Sequence, residues 1–146
     1  MRSEVAVGAL LLAITVGAGC ASRSGWDEFA GLAEAICSEG TDAIDSLGPM
    51  PTAGTRDESV YAIALAAIQT RIATGLGDLD VSADSRLAFD QWVARLESLA
   101  RKARAYGAQI RASGVSLDGE LGEVAVDAQD AAFDLGLTEC AHFGVP

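Results

Sequence analysis

The chain has 146 residues, enough for one domain of ordinary size. Half of the residues are hydrophobic but only 5% are aromatic, so any core must be built mostly from small aliphatic side chains. A formal net charge of −11 repels phosphate backbones and anionic lipid headgroups, which argues against nucleic acid as a partner and requires any membrane attachment to come from something other than surface charge.

The N-terminus carries a targeting pattern. Arg2 and the α-amine give a weakly positive start, partly cancelled by Glu4, and Val5 to Val16 is an uncharged, mostly aliphatic run. Gly17, Ala18 and Gly19 follow, then Cys20. This order predicts a signal peptide over residues 1–19, too short to be a spanning helix of about 20 apolar residues. The segment Val16-Gly17-Ala18-Gly19-Cys20 resembles the bacterial lipobox, with Gly17 where that signal has Leu. The resemblance implies that Cys20 becomes the first mature residue and carries a diacylglyceryl group on its thiol, holding the protein on the outer face of the cell membrane. Plain secretion, with cleavage near Ala21, is the alternative.

The three cysteines are Cys20, Cys37 and Cys140. An odd thiol in an oxidising compartment needs an explanation. Lipidation of Cys20 removes it from the count and leaves Cys37 and Cys140 as a predicted disulfide. Closing a loop of about 100 residues contributes on the order of 4–5 kcal/mol by chain entropy.

Residues 21–25 (Ala-Ser-Arg-Ser-Gly) read as a short tether, and residues 26–146 as the folded domain. Helix 1 is expected from the Ser24 and Asp27 capping positions, with Trp26, Phe29, Ala33, Ile36, Ala43 and Leu47 on one face and Cys37 at its edge. Gly48-Pro49-Met50-Pro51 stops it. Thr55-Arg56-Asp57-Glu58 matches a capping box that opens helix 2, whose stripe is Tyr61, Leu65, Ile68, Ile72 and Leu76. A turn over Asp78 to Asp84 leads into helix 3. There Phe89, Trp92, Leu96, Leu99, Ala103, Tyr106 and Ile110 alternate three- and four-residue steps, the seam of a shallow-angle bundle helix. Helix 4 follows Asp118, with Leu121, Val124, Ala128, Ala131 and Leu135 facing inward. Leu135-Gly136-Leu137 then reads as a Schellman stop, after which Cys140 can reach back to helix 1.

The expected fold is therefore all-α: a four-helix up-down bundle with one disulfide between helix 1 and the C-terminal tail. Basic residues gather on helix 3 (Arg95, Arg101, Lys102, Arg104, Arg111) and acidic ones on and around helix 4, from Asp118 to Glu139. Antiparallel neighbours would bring the two sets together, and this disfavours wrong pairings even though each surface pair contributes only about 0–1 kcal/mol.

Few residues point to chemistry. Asp78, Asp80, Ser82 and Asp84 begin like a calcium-binding EF-hand loop, but Ala83 stands where Gly is needed and Phe89 where a bidentate Glu is needed. A polar turn with Ser82 or Asp84 capping helix 3 is the plainer reading. Asp127, Asp130 and Asp134 share a helix face and read as a solvated row, and His142, the lone histidine, sits in the tail. There is no nucleophile elbow, phosphate loop, dinucleotide fingerprint or Glu-x-x-His pair. The expectation is a protein that is not an enzyme and has no cofactor. Trp26, Phe29, Phe89, Trp92 and Phe133 would either pack the core or line a small apolar pocket.

Taken whole, the chain resembles the many small secreted or lipid-anchored helical proteins of actinobacteria. The likeness rests on the lipobox at Cys20, Cys37 on the first helix and the closing Leu135-Gly136-Leu137-Thr138-Glu139-Cys140. It implies location and shape, with no substrate. The functional expectation is a non-catalytic interaction module of the cell envelope, attached to the membrane through its lipid and binding another envelope protein through the acidic helix 4. A secreted carrier with an apolar site between helices is the alternative. Nothing in the sequence sets an oligomeric state.

Overall fold

The computed structural model describes residues 20–113 and 118–142. Residues 1–19, expected from the sequence to be a signal peptide, the connection 114–117 and the last four residues lie outside the described part. The described residues form α1 (Cys20–Asp45), α2 (Arg56–Gly77), α3 (Ala83–Ser113), α4 (Asp118–Asp134) and a short 3-10 turn, η1 (Glu139–His142). Among them there is no strand.

Each helix runs antiparallel to the one before it. Ile36 of α1 packs over Gly75 near the end of α2. Glu58 and Ser59, at the start of α2, meet Tyr106 and Gly107 near the end of α3. Arg95 of α3 donates to the Asp127 carbonyl of α4 at 3.0 Å, whereas Leu121, early in α4, packs against Tyr106 and Ile110 late in α3. The result is the expected four-helix up-down bundle.

The stripes of α2 and α3 predicted from periodicity are all buried, because steps of three and four residues keep one face toward the partner over the whole helix. α2 has an 18-residue window of mean hydropathy 1.3, apolar enough to cross a membrane by composition. In the fold that composition serves the core: Leu65, Ile68, Ile72 and Leu76 pack inside the bundle. Thr55 caps α2, its Oγ1 accepting from the Glu58 N–H at 3.2 Å. The Glu58 carboxylate closes the box from the other side, accepting from the Gly54 N–H.

α1 and α4 depart from the sequence reading. α1 starts at Cys20, so residues 21–25, read as a tether, continue the helical backbone and Ser24 lies inside the helix. The five tether residues contain no proline, and a single glycine does not end a helix that is anchored further along. In α4 the fully buried row is Ala125, Ala128 and Ala132, while Leu121, Val124, Ala131 and Leu135 are only half-buried. The helix is turned so that its smallest side chains face α3, and the larger ones close the flanks.

The end of α4 follows the predicted stop. Gly136 adopts a φ of 74°. Leu137 N–H bonds the Ala132 carbonyl at 3.0 Å and Gly136 N–H the Phe133 carbonyl at 2.9 Å, the two bonds of a Schellman motif. Leu137 is thereby folded back into the core. Cys140 follows in η1 and is bonded to Cys37 of α1, with Cα atoms 5.1 Å apart. Glu34 adds a second link, its carboxylate accepting from the Glu139 N–H at 2.7 Å at the start of η1.

Candidate functional sites

The acidic turn after α2 is dispersed by the geometry of the helix ends. Asp78 is the C-cap of α2, and its N–H bonds back to the Thr74 and Leu76 carbonyls. Asp80 projects into solvent toward Arg86, 3.4 Å away. Ser82 precedes α3 and its carbonyl accepts from Ser85 and Arg86, while Asp84 is exposed in the first turn. No three His, Cys, Asp or Glu side chains among the described residues are gathered as a metal would need. Asp127, Asp130 and Asp134 are exposed on α4, and His142 is exposed in η1.

The aromatic side chains fill space rather than enclose it. Trp26 and Phe29 lie with ring centroids 4.9 Å apart, Phe29 meets Phe89 edge-on at 4.9 Å, and Phe89 meets Trp92 at 5.5 Å. This ladder joins α1 to α3, and edge-to-face pairs add about 0.5–1.5 kcal/mol each beyond burial. Phe133 does not join it. That side chain is 65% exposed on the outer side of α4, and Val126, one heptad earlier, is 50% exposed. Glu123, Asp127, Asp130 and Asp134 are exposed on the same helix. The expected ion pairs between α3 and α4 are not formed among the described residues; Arg95 reaches the α4 backbone instead, and Arg101 pairs with Glu97 on its own helix. Glu123, Asp127, Asp130 and Asp134 are left to solvent.

Two features escaped the sequence reading. The first is a buried polar contact between α2 and α3. Glu58, only 4% exposed, accepts from the Tyr106 hydroxyl at 2.7 Å, and the Ser59 hydroxyl donates to the Gly107 carbonyl at 2.6 Å. A glycine inside a strongly periodic helix was the available signal, since such a position marks a close backbone approach. The second is a cavity of about 390 Å³ at this end of the bundle, lined among the described residues by Arg56, Ile110 and Arg111. A smaller cavity of about 150 Å³ lies between α1 and α2, against Ile36, Gly40, Ile72 and Gly75 with Glu39 and Arg71 at its edge.

Of the cysteines, Cys37 and Cys140 are consumed in the disulfide. Cys20 is the first residue of α1, and its side chain lies outside the described part. Comparison of the chain with protein-family models, with curated proteins and with solved structures gave no match.

Proposed function

We propose that this protein is exported, held on the outer face of the cell membrane through a lipid on Cys20, and acts there as a non-catalytic module that binds another envelope protein. The disulfide supports export, because such bonds persist in oxidising compartments. The observation that carries the binding role is the outer side of α4, where Val126 and Phe133 are exposed among carboxylates that no basic side chain of the described residues neutralises. A large aromatic ring left in water beside unpaired charge is a combination that partner surfaces use: the ring supplies desolvated area and the charges supply orientation.

Chemical crosslinking in intact envelopes tests this reading. The same neighbouring protein should be recovered in repeated experiments with the parent chain, and its yield should collapse in a Val126→Ser/Phe133→Ser variant. Absence of any reproducible partner from the anchored protein would remove the proposal. Mass spectrometry of the purified chain tests the anchor separately, with a mature N-terminus at lipid-modified Cys20 as the expected result.

A further inference from the structure

The cavity at the end of the bundle where α2 begins and α3 ends gathers two arginines from different helices. Acidic residues outnumber Lys and Arg by 21 to 10, yet among the described residues only Arg86 and Arg101 pair with a carboxylate. Arg56 and Arg111, both exposed and brought to one cavity from two helices, make no ion pair or hydrogen bond with any described residue. The cavity also touches Ile110, 3% exposed, which belongs to a small apolar cluster with Ala62, Tyr106 and Leu121. Among the described residues, the lining is two cationic side chains and one apolar one.

Arg56 is also placed against local preference. It is the first residue of α2, where the helix dipole disfavours a cation and favours an anion. A charge that its own helix end disfavours, with no internal partner to compensate it, is expected at functional positions. The backbone beneath it is firmly held. Thr55 and Glu58 cap the helix, and Glu58 is in turn fixed by Tyr106, one turn before Ile110. Arg56 therefore stands on a capped helix turn, and Arg111 on the last turn of α3, rather than on loops.

We infer that this cavity binds a small anionic amphiphile: a phosphate or carboxylate headgroup held between Arg56 and Arg111, with a short apolar chain laid on Ile110. Guanidinium groups bind both headgroups through paired N–H donors. The volume of about 390 Å³ lies within the range of small-molecule sites. The site lies at the opposite end of α1 from Cys20, and its occupancy does not depend on the anchor or on the α4 partner proposed above.

The test is calorimetric titration of the disulfide-intact protein at low salt with octyl phosphate and octanoate, each below its micelle concentration. Octyl glucoside serves as the neutral chain and inorganic phosphate as the headgroup alone. Saturable binding of at least one anionic amphiphile is expected, with inorganic phosphate and octyl glucoside each at least about tenfold weaker. Arg56→Gln and Arg111→Gln should each weaken it by about tenfold, a change of about 1.4 kcal/mol. The Ile110 methyl resonances of the unsubstituted protein give a second readout and should shift on addition of the bound amphiphile. The inference is overturned if neither amphiphile binds, if octyl glucoside binds equally well, if affinity survives both substitutions, or if the Ile110 methyls do not move.

Discussion

Replacing Gly107 with alanine should destabilise the protein, against the usual sign for a glycine inside a helix. A Cβ at Gly107 would lie 2.8 Å from Ile63 Cγ1 and 2.9 Å from the Ser59 carbonyl oxygen. The isoleucine can move, but the carbonyl is α2 backbone and retreats only if the two helices separate. Overpacking of this kind costs about 1–3 kcal/mol. Separation also strains the bond from the Ser59 hydroxyl to the Gly107 carbonyl, worth about 1 kcal/mol. Against these stands the better helix propensity of alanine, about 1 kcal/mol. The balance is a loss of about 2 kcal/mol, or a fall in Tm of roughly 8 °C for a domain of this size. Gly31, exposed on α1, is the matched control, because nothing lies within 4 Å of a Cβ added there. Gly31→Ala should therefore stabilise by about 0.5–1 kcal/mol. Urea and thermal unfolding followed by far-UV circular dichroism, with the disulfide intact, measure both. If Gly107→Ala is as stable as the parent, or gains stability as Gly31→Ala should, the close contact between α2 and α3 is wrong.

Three further outcomes follow from the same contacts. Tyr106→Phe removes a hydroxyl from the buried Glu58 carboxylate and should cost about 1.5–3 kcal/mol in urea unfolding; no loss would mean that the carboxylate does not rely on the tyrosine. Gln69 is 1% exposed and neither end of its amide has a hydrogen-bond partner among the described residues, so Gln69→Met should raise stability by about 1–3 kcal/mol. A lowered Tm in that variant would show that the amide is satisfied by an internal water. Reduction of Cys37–Cys140 should lower stability by up to about 4–5 kcal/mol, and a thermal scan unchanged by dithiothreitol would contradict the loop-closure account.

Periodicity made α2 and α3 legible because their buried residues are large and evenly spaced. Thr55-Arg56-Asp57-Glu58 and Leu135-Gly136-Leu137 were legible as helix ends because capping is local chemistry that needs no knowledge of the partner helix. α4 was read about one position out of phase for the converse reason. Its buried row is alanine, which carries little hydrophobic signal, while its larger Leu and Val residues sit at the flanks. Phe133 was grouped with the other aromatics by type, whereas its position on α4 places it in water. The cavity beside Arg56 and Arg111 could not be read from one dimension at all, since the two residues are brought together only when α2 and α3 pair.

The link between Cys37 and Cys140 also changes what a protease can do to this molecule. The connection 46–55, which carries Gly48, Pro49 and the exposed Met50, is a natural place for a cut. In an open chain, one cut there would free everything from α2 onward. Here the residue bonded to Cys37 belongs to the far end of the sequence, so the two fragments remain a single covalent molecule with α1 still attached. A nick between these cysteines alters the electrophoretic pattern only after reduction, and α1 stays fastened to the rest of the bundle.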